Sequence, residues 1–225
     1  MKKRVSAKDL DVIFPRGERQ QDVFQKFYEG QNLSLLGSAG TGKTFLAMYL
    51  GLEGVLSGNY SSLCVIRSAV PTRDLGFMPG DLDEKLMYYE LPYSSICDEL
   101  LPYRRGWETM KESEQCFFHS TSFLRGLTLD NSVVIVDECQ SMTFHELDTI
   151  ITRLGSNNRI IFCGDFVQSD ISNSGLSSFI RILDKLSCFS RIDFTSSDIV
   201  RGEIVRDYII ERDKIDTKRH AIQGA

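Results

Sequence analysis

The sequence predicts an α/β domain of three layers, with helices on both faces of a mainly parallel sheet. Three observations carry that prediction. Short apolar runs alternate with helical patterns along the chain, as strands buried on both faces and their crossover helices do. The 225 residues are 42% hydrophobic and 25% charged, ordinary globular proportions in a length that builds its own core. The first apolar run ends in a glycine-rich segment that opens a helix, the context of a phosphate-binding loop.

Taken in order, residues 1–14 are polar and lysine-rich and are expected as a mobile basic arm. A helical pattern runs from about Arg19 to Tyr28, with Val23, Phe24 and Phe27 on one face. Leu33–Leu36 reads as a buried strand, residues 43–56 as a helix, and Leu63–Ile66 as a second strand. From Val70 to about Gly80, proline and glycine indicate a loop. Residues 82–110 read as mixed helix and turn. Tyr88, Tyr89, Tyr93 and Trp107 there lack the interleaved basic residues of a base-stacking surface and are assigned to packing or subunit contact. Strands are expected at Gln115–His119, Val133–Val136, Arg159–Cys163 and near Arg191–Phe194, with helices over Phe144–Leu154 and Leu176–Leu186. The last 25 residues read as helical to about Arg212 and frayed beyond. The organisation is one domain over 15–213, about five strands, and a tail over 214–225.

Composition narrows the function classes. The six cysteines never form a C-x-x-C pair, and His119, His145 and His220 show no metal spacing. With no leader-like N-terminus, the chain reads as cytoplasmic with reduced thiols. No apolar run approaches the roughly 18 residues of a membrane span. Residues 1–19 carry six basic and three acidic side chains and residues 201–225 six and five, which leaves 14 positive and 23 negative between them, a net charge of −9. A body of that sign does not draw in polyanions over long range, so any nucleic-acid contact has to come from a local basic patch.

Gly37-Ser38-Ala39-Gly40-Thr41-Gly42-Lys43-Thr44 matches G-x-x-x-x-G-K-[ST] between a predicted strand and a predicted helix. The glycines let backbone N–H groups curl around a β-phosphate, and the helix N-terminus adds partial positive charge. Lys43 is placed to reach the β- and γ-phosphates, and the Thr44 hydroxyl to join a Mg²⁺ shell. Val133–Val136 followed by Asp137-Glu138 places two acids at a strand's C-terminal edge, where ligands of parallel sheets bind. Asp137 suits Mg²⁺, and Glu138 suits polarising an attacking water. The second acid favours hydrolysis over phosphate transfer to another acceptor. Gly164-Asp165-Phe166-Val167-Gln168 has the form G-D-x-x-Q at a further strand end, where Gln168 can bond the γ-phosphate or the water. Gln140 is a candidate relay out of the site.

GSAGTGKT, DECQ and GDFVQ in that order resemble the core of superfamily 1 helicases. With IRSAVPTRDLGFMPGD, TSFLRG and SSDIVRGEIV, the set resembles the PhoH-like family of P-loop ATPases, from about Pro15 to Ile209. The resemblance implies a three-layer RecA-like P-loop NTPase domain, ATP and Mg²⁺ as ligands, and a link to RNA metabolism. The short form looks like single-domain versions common in phage genomes, which implies the host cytoplasm. Gln20 falls where superfamily 1 proteins place an adenine-reading glutamine, with Gln21 its neighbour. Arg201 matches a late arginine that stabilises transition-state charge.

One RecA-like domain is half of a superfamily 1 ATP site. A finger on the same domain is expected to lie out of reach of its own ATP, so Arg201 is assigned to a neighbouring copy in a homo-oligomer, most simply a hexameric ring. Arg67, Thr72, Arg73, Thr121 and Arg125 match positions that touch single-stranded RNA or DNA, and small hydroxyls and arginines suit phosphate contact. Two other readings compete with a helicase-like ATPase. One is an ATP-gated scaffold without motor activity. The other is a small-molecule kinase, disfavoured by Asp137-Glu138, by G-D-x-x-Q and by the lack of an arginine-rich lid.

Overall fold

The computed structural model describes residues 5–68, 82–102, 105–124, 126–165 and 175–212. Six runs rich in apolar residues form the strands β1 (Asn32–Gly37), β2 (Ser62–Arg67), β3 (Cys116–Ser120), β4 (Ser132–Asp137), β5 (Arg159–Gly164) and β6 (Phe189–Phe194). They make one sheet in the order β3-β2-β4-β5-β1-β6, every neighbouring pair parallel. This is the three-layer α/β class that the alternation predicts, and each of the six runs read as strands forms one.

Both faces of the sheet are covered, and alternation along each strand decides which core a side chain enters. Leu33, Leu35, Leu63, Val65, Val133, Ile135 and Ile161 face one core, built with α1 (Glu18–Tyr28), α2 (Lys43–Leu56), α3 (Leu82–Leu100) and α4 (Gly106–Glu112). Leu36, Cys64, Ile66, Val134, Val136, Ile160 and Phe162 face the other, under α5 (Phe144–Thr152) and α6 (Leu176–Leu183). A last helix, α7, occupies 203–212. Among the described residues no helix is long and apolar enough to cross a membrane.

One expectation is corrected. Residues 5–14 are not a free arm. Val5 and Leu10 are buried in the α1–α4 core, and the Asp11 N–H donates to the Leu100 carbonyl at 2.9 Å. Each buried aliphatic contributes about 1.5–3 kcal/mol, while Lys8 stays in solvent at no such cost. The mixed helix and turn expected over 82–110 is α3, which runs unbroken for 19 residues through Pro92, then a turn at 101–102 and α4. An interior proline costs about 3 kcal/mol, and burial of Tyr93, Cys97 and Leu100 on the inner face offsets it. The tail over 214–225 and the loop over 70–80 lie outside the described residues.

Candidate active site

The C-terminal ends of β1, β5, β4 and β2 lie side by side, and the phosphate loop, Asp165, Asp137-Glu138 and Arg67 sit at those ends. Strand order thus brings together segments 100 or more positions apart in the chain.

Gly37 leaves β1 with φ +116°, and a Cβ there would collide with the Phe194 carbonyl on β6, so only glycine fits. Gly42, left-handed at φ 89°, caps α2 and directs its first turn at the loop. Lys43 folds over the loop, its Nζ donating to the Gly37 carbonyl at 2.6 Å and the Ser38 carbonyl at 2.8 Å. Burial pushes the Lys43 amine below its ordinary pKa, against the pull of Asp165, Cys163, Asp137 and Glu138. The buried Thr41 hydroxyl donates to the Ser38 carbonyl at 3.0 Å and keeps the loop curled.

Gln20 is buried beside this loop and both ends of its amide are engaged. Its Nε2 donates to the Thr41 carbonyl at 3.1 Å, and its Oε1 accepts from the Arg16 N–H at 2.8 Å. The residue predicted to read a base therefore also braces the loop.

The two oxygens of Asp137 are each held by one hydroxyl. Thr44 donates to Oδ1 at 2.9 Å and Tyr93, from α3, to Oδ2 at 2.8 Å. Burial and the neighbouring Glu138 raise the Asp137 pKa above the usual carboxylate range, and Tyr93, Thr44 and Arg67 pull it back. Thr44 Oγ1 and Asp137 Oδ1 are hard oxygen donors lying side by side, the kind of pair Mg²⁺ takes together with substrate phosphates. The residues present fit that ion.

Glu138 turns out of β4 in the left-handed region, φ 52°. A non-glycine residue held there marks a position fixed by its surroundings. The fixing partner is Gln140, whose Nε2 donates to Glu138 Oε2 while its Oε1 accepts from the Asp165 N–H at 3.1 Å. Gln140 thus ties the acid to the end of β5. Gln168 lies outside the described residues.

Arg201 is exposed, yet its stem lies beside its own phosphate loop: a Cβ on Gly40 would stand 3.0 Å from Arg201 Cγ, and the Val200 N–H donates to the Gly40 carbonyl at 3.0 Å. The stem of Arg201 thus lies beside the phosphate loop of its own chain.

The predicted nucleic-acid contacts separate. Arg67 ends β2 opposite Asp137, with its guanidinium carbon 5.6 Å from the centre of the Tyr89 ring, so it belongs to the wall of the acidic site. Thr121 is buried and donates to Glu146 Oε1 at 2.7 Å, turned inward rather than toward a strand. Glu146 also accepts from Ser68 at 3.2 Å and caps α5 through Thr143. Burial pushes the Glu146 carboxyl up, but these hydrogen bonds hold it below its ordinary range. Thr72, Arg73 and Arg125 lie outside the described residues.

The role of Tyr93 and the bonds made by Glu146 have no local signature. A buried tyrosine in an aromatic-rich helix and an acid at a helix N-terminus look alike whether or not they serve a site.

Among protein families, the one described as PhoH-like protein matches residues 12–211. A PhoH-like protein of Synechocystis is 31% identical over 205 residues, 87% of this chain and 61% of its own length. One of Bacillus subtilis is 33% identical, over 80% of this chain and 57% of its own. Protein PhoH of Escherichia coli K12 is 29% identical, over 88% and 57%. The chain spans about three-fifths of the length of these relatives. Of solved structures, the Sulfolobus solfataricus SWI2/SNF2 ATPase core in complex with dsDNA overlaps at a TM-score of 0.46 and 12% identity, over 82% of this chain and 47% of that one. Pif1 helicase from Candida albicans overlaps at 0.41 and 16%, over 81% and 41%.

Proposed function

The chain belongs to the PhoH-like protein family, and from that premise and the geometry of the site we propose that it is a Mg²⁺-dependent ATPase acting on single-stranded RNA or DNA. The observation that carries the ATPase half is the Thr44–Asp137 hydrogen bond at 2.9 Å, which joins the end of the phosphate loop to the acidic strand. Gly37 through Thr44 bind the phosphates through backbone N–H groups, and Lys43 exchanges its loop carbonyls for phosphate oxygens. Bound Mg²⁺ supplies positive charge at the phosphates, with Thr44 and Asp137 as its protein ligands. Glu138 takes the proton of the attacking water on Oε1, because Gln140 holds Oε2. Gln168 orients that water, and Arg201, beside its own loop, meets the charge that develops on the γ-phosphate. Gln20 keeps the loop shaped and presents its amide to the base by exchanging one of its two internal bonds.

The nucleic-acid half draws its support from the superfamily 1 resemblance and from Arg73 and Arg125, since Arg67 and Thr121 are engaged inside the domain. The six cysteines, unpaired and five of them buried, suit the reducing cytoplasm assigned to the chain. A second reading, an ATP-gated homo-oligomer, has its own observation. Ile204 is 87% exposed and Tyr208 68% on α7, the helix that follows Arg201, and such a face suits a contact between copies. A hexameric ring is a simple closed form of it.

One experiment separates the readings: steady-state ATP hydrolysis at micromolar protein and low salt, with and without single-stranded RNA or DNA. Stimulation that fades as salt rises is the result expected of the nucleic-acid ATPase. Hydrolysis indifferent to both polymers and rising steeply with protein concentration would replace it with the gated oligomer. No Mg²⁺-dependent hydrolysis under any condition would overturn both.

A further inference from the structure

Asp137 is held by its strand and, as well, by a helix from another part of the chain. The Tyr93 ring is fully buried and lies 5.7 Å from the Phe118 ring, centre to centre, with its hydroxyl 2.8 Å from Asp137 Oδ2. The donor at the other oxygen, Thr44, belongs to the phosphate loop. A carboxylate oxygen offers two lone pairs, so each oxygen of Asp137 keeps one after these two bonds are made. At a site with no exposed surface on Tyr93, water cannot stand in for its hydroxyl. Without that donor, Oδ2 is buried with its bond unmade, and the carboxylate regains its preference for turning or for binding a proton.

The helix that delivers Tyr93 has an inner and an outer face. Inward, Tyr93 reaches Asp137, and Tyr89 lies under the guanidinium of Arg67, itself opposite Asp137. Outward, Met87, Tyr88 and Leu91 are 63%, 62% and 54% exposed. A contact on the outer face therefore has a direct mechanical route, through one helix, to the metal-binding acid.

We infer that Tyr93 is a positioning residue for Asp137, and that through it α3 sets the affinity of the site for its divalent cation. This rests on the ATPase reading of the same site.

The test is binding of a fluorescent, non-hydrolysable ATP analogue to the full chain as Mg²⁺ is varied, in wild type and Tyr93→Phe. Affinity in EDTA should match between the two, and the Mg²⁺ midpoint should rise about 10- to 100-fold in the variant, the usual loss when a partner of a metal ligand is removed. In an Asp137→Asn background, Tyr93→Phe should have no further effect on the midpoint. Equal midpoints in wild type and Tyr93→Phe would overturn the inference and leave the ATPase reading standing. So would a loss of affinity in EDTA as large as that in Mg²⁺, the mark of general loosening. Wild type whose nucleotide binding ignores Mg²⁺ would overturn the reading of the site itself. A probe that leaves the fold intact supplements this: 3-fluorotyrosine placed at position 93 should shift its ¹⁹F resonance when Mg²⁺ joins the nucleotide complex, and a resonance unmoved by Mg²⁺ would also overturn the inference.

Discussion

Arg201 packs its stem against Gly40 of its own phosphate loop, with Cγ 3.0 Å from where a Cβ on that glycine would stand. On the proposed reading, the guanidinium serves the site of its own chain. Arg201→Ala should bind ATP normally and turn over about 10³-fold more slowly, the scale of an arginine that meets transition-state charge. Mixing it with an inactive Glu138→Gln partner should restore nothing. Recovery of hydrolysis in the mixture would show that the arginine works across an interface.

Glu138→Gln should hold ATP with near wild-type affinity while hydrolysis falls about 10²- to 10⁴-fold, the usual worth of a general base. Gln140→Ala should act in the same direction but more mildly, because Glu138 keeps its charge and loses only its tether to Asp165. Single-turnover kinetics on both variants checks the order, and a Gln140→Ala enzyme slower than Glu138→Gln would contradict it.

Gln20→Ala removes two buried hydrogen bonds, one to the loop and one to Arg16. At about 1 kcal/mol each, their loss should weaken nucleotide binding roughly tenfold or more. Because the bond to Thr41 braces the loop whatever base is bound, ATP and GTP should suffer alike. Competition binding measures this, and a loss confined to ATP would make base reading the dominant role.

Asp137→Asn should abolish Mg²⁺-dependent hydrolysis and yet stabilise the nucleotide-free fold at neutral pH. Burial holds the Asp137 pKa above its ordinary value, so the folded state binds the proton more tightly than the unfolded chain does. Stability of the wild type therefore falls as pH rises from the ordinary carboxylate range through the raised value, and the variant escapes that loss. A higher melting temperature at pH 7.5 is expected. The difference should close below about pH 4. Equal melting points at neutral pH would count against a buried, penalised charge.

The motif residues of the candidate site were legible in the sequence, because their chemistry fixes both residue type and spacing. Gly37, Asp137 and Glu138 fall at strand ends and Lys43 and Thr44 open α2, as the motifs require. The parts that hold those groups in place were not, because each is a pairing between distant segments. Tyr93 reads as packing, which it also is, and only the strand order brings its hydroxyl to Asp137. Thr121 was assigned to a nucleic-acid strand, since a hydroxyl that suits a phosphate equally suits the Glu146 carboxylate. Pro92 signals a break that α3 overrides through its buried face. Lysines near the N-terminus hide the two aliphatics, Val5 and Leu10, that dock that segment.

The strand order also sets a clock. β1 pairs only with β5 and β6, so the strand that launches the phosphate loop finds its first partner at Ile161 and its last at Phe194. As the chain leaves the ribosome, Gly37 waits for more than 150 further residues before the carbonyl that shapes its turn exists. At about 5–20 residues per second, that interval is on the order of ten to thirty seconds. The nucleotide pocket is therefore the last part of the sheet to be completed, and a nascent chain that binds ATP has finished its sheet.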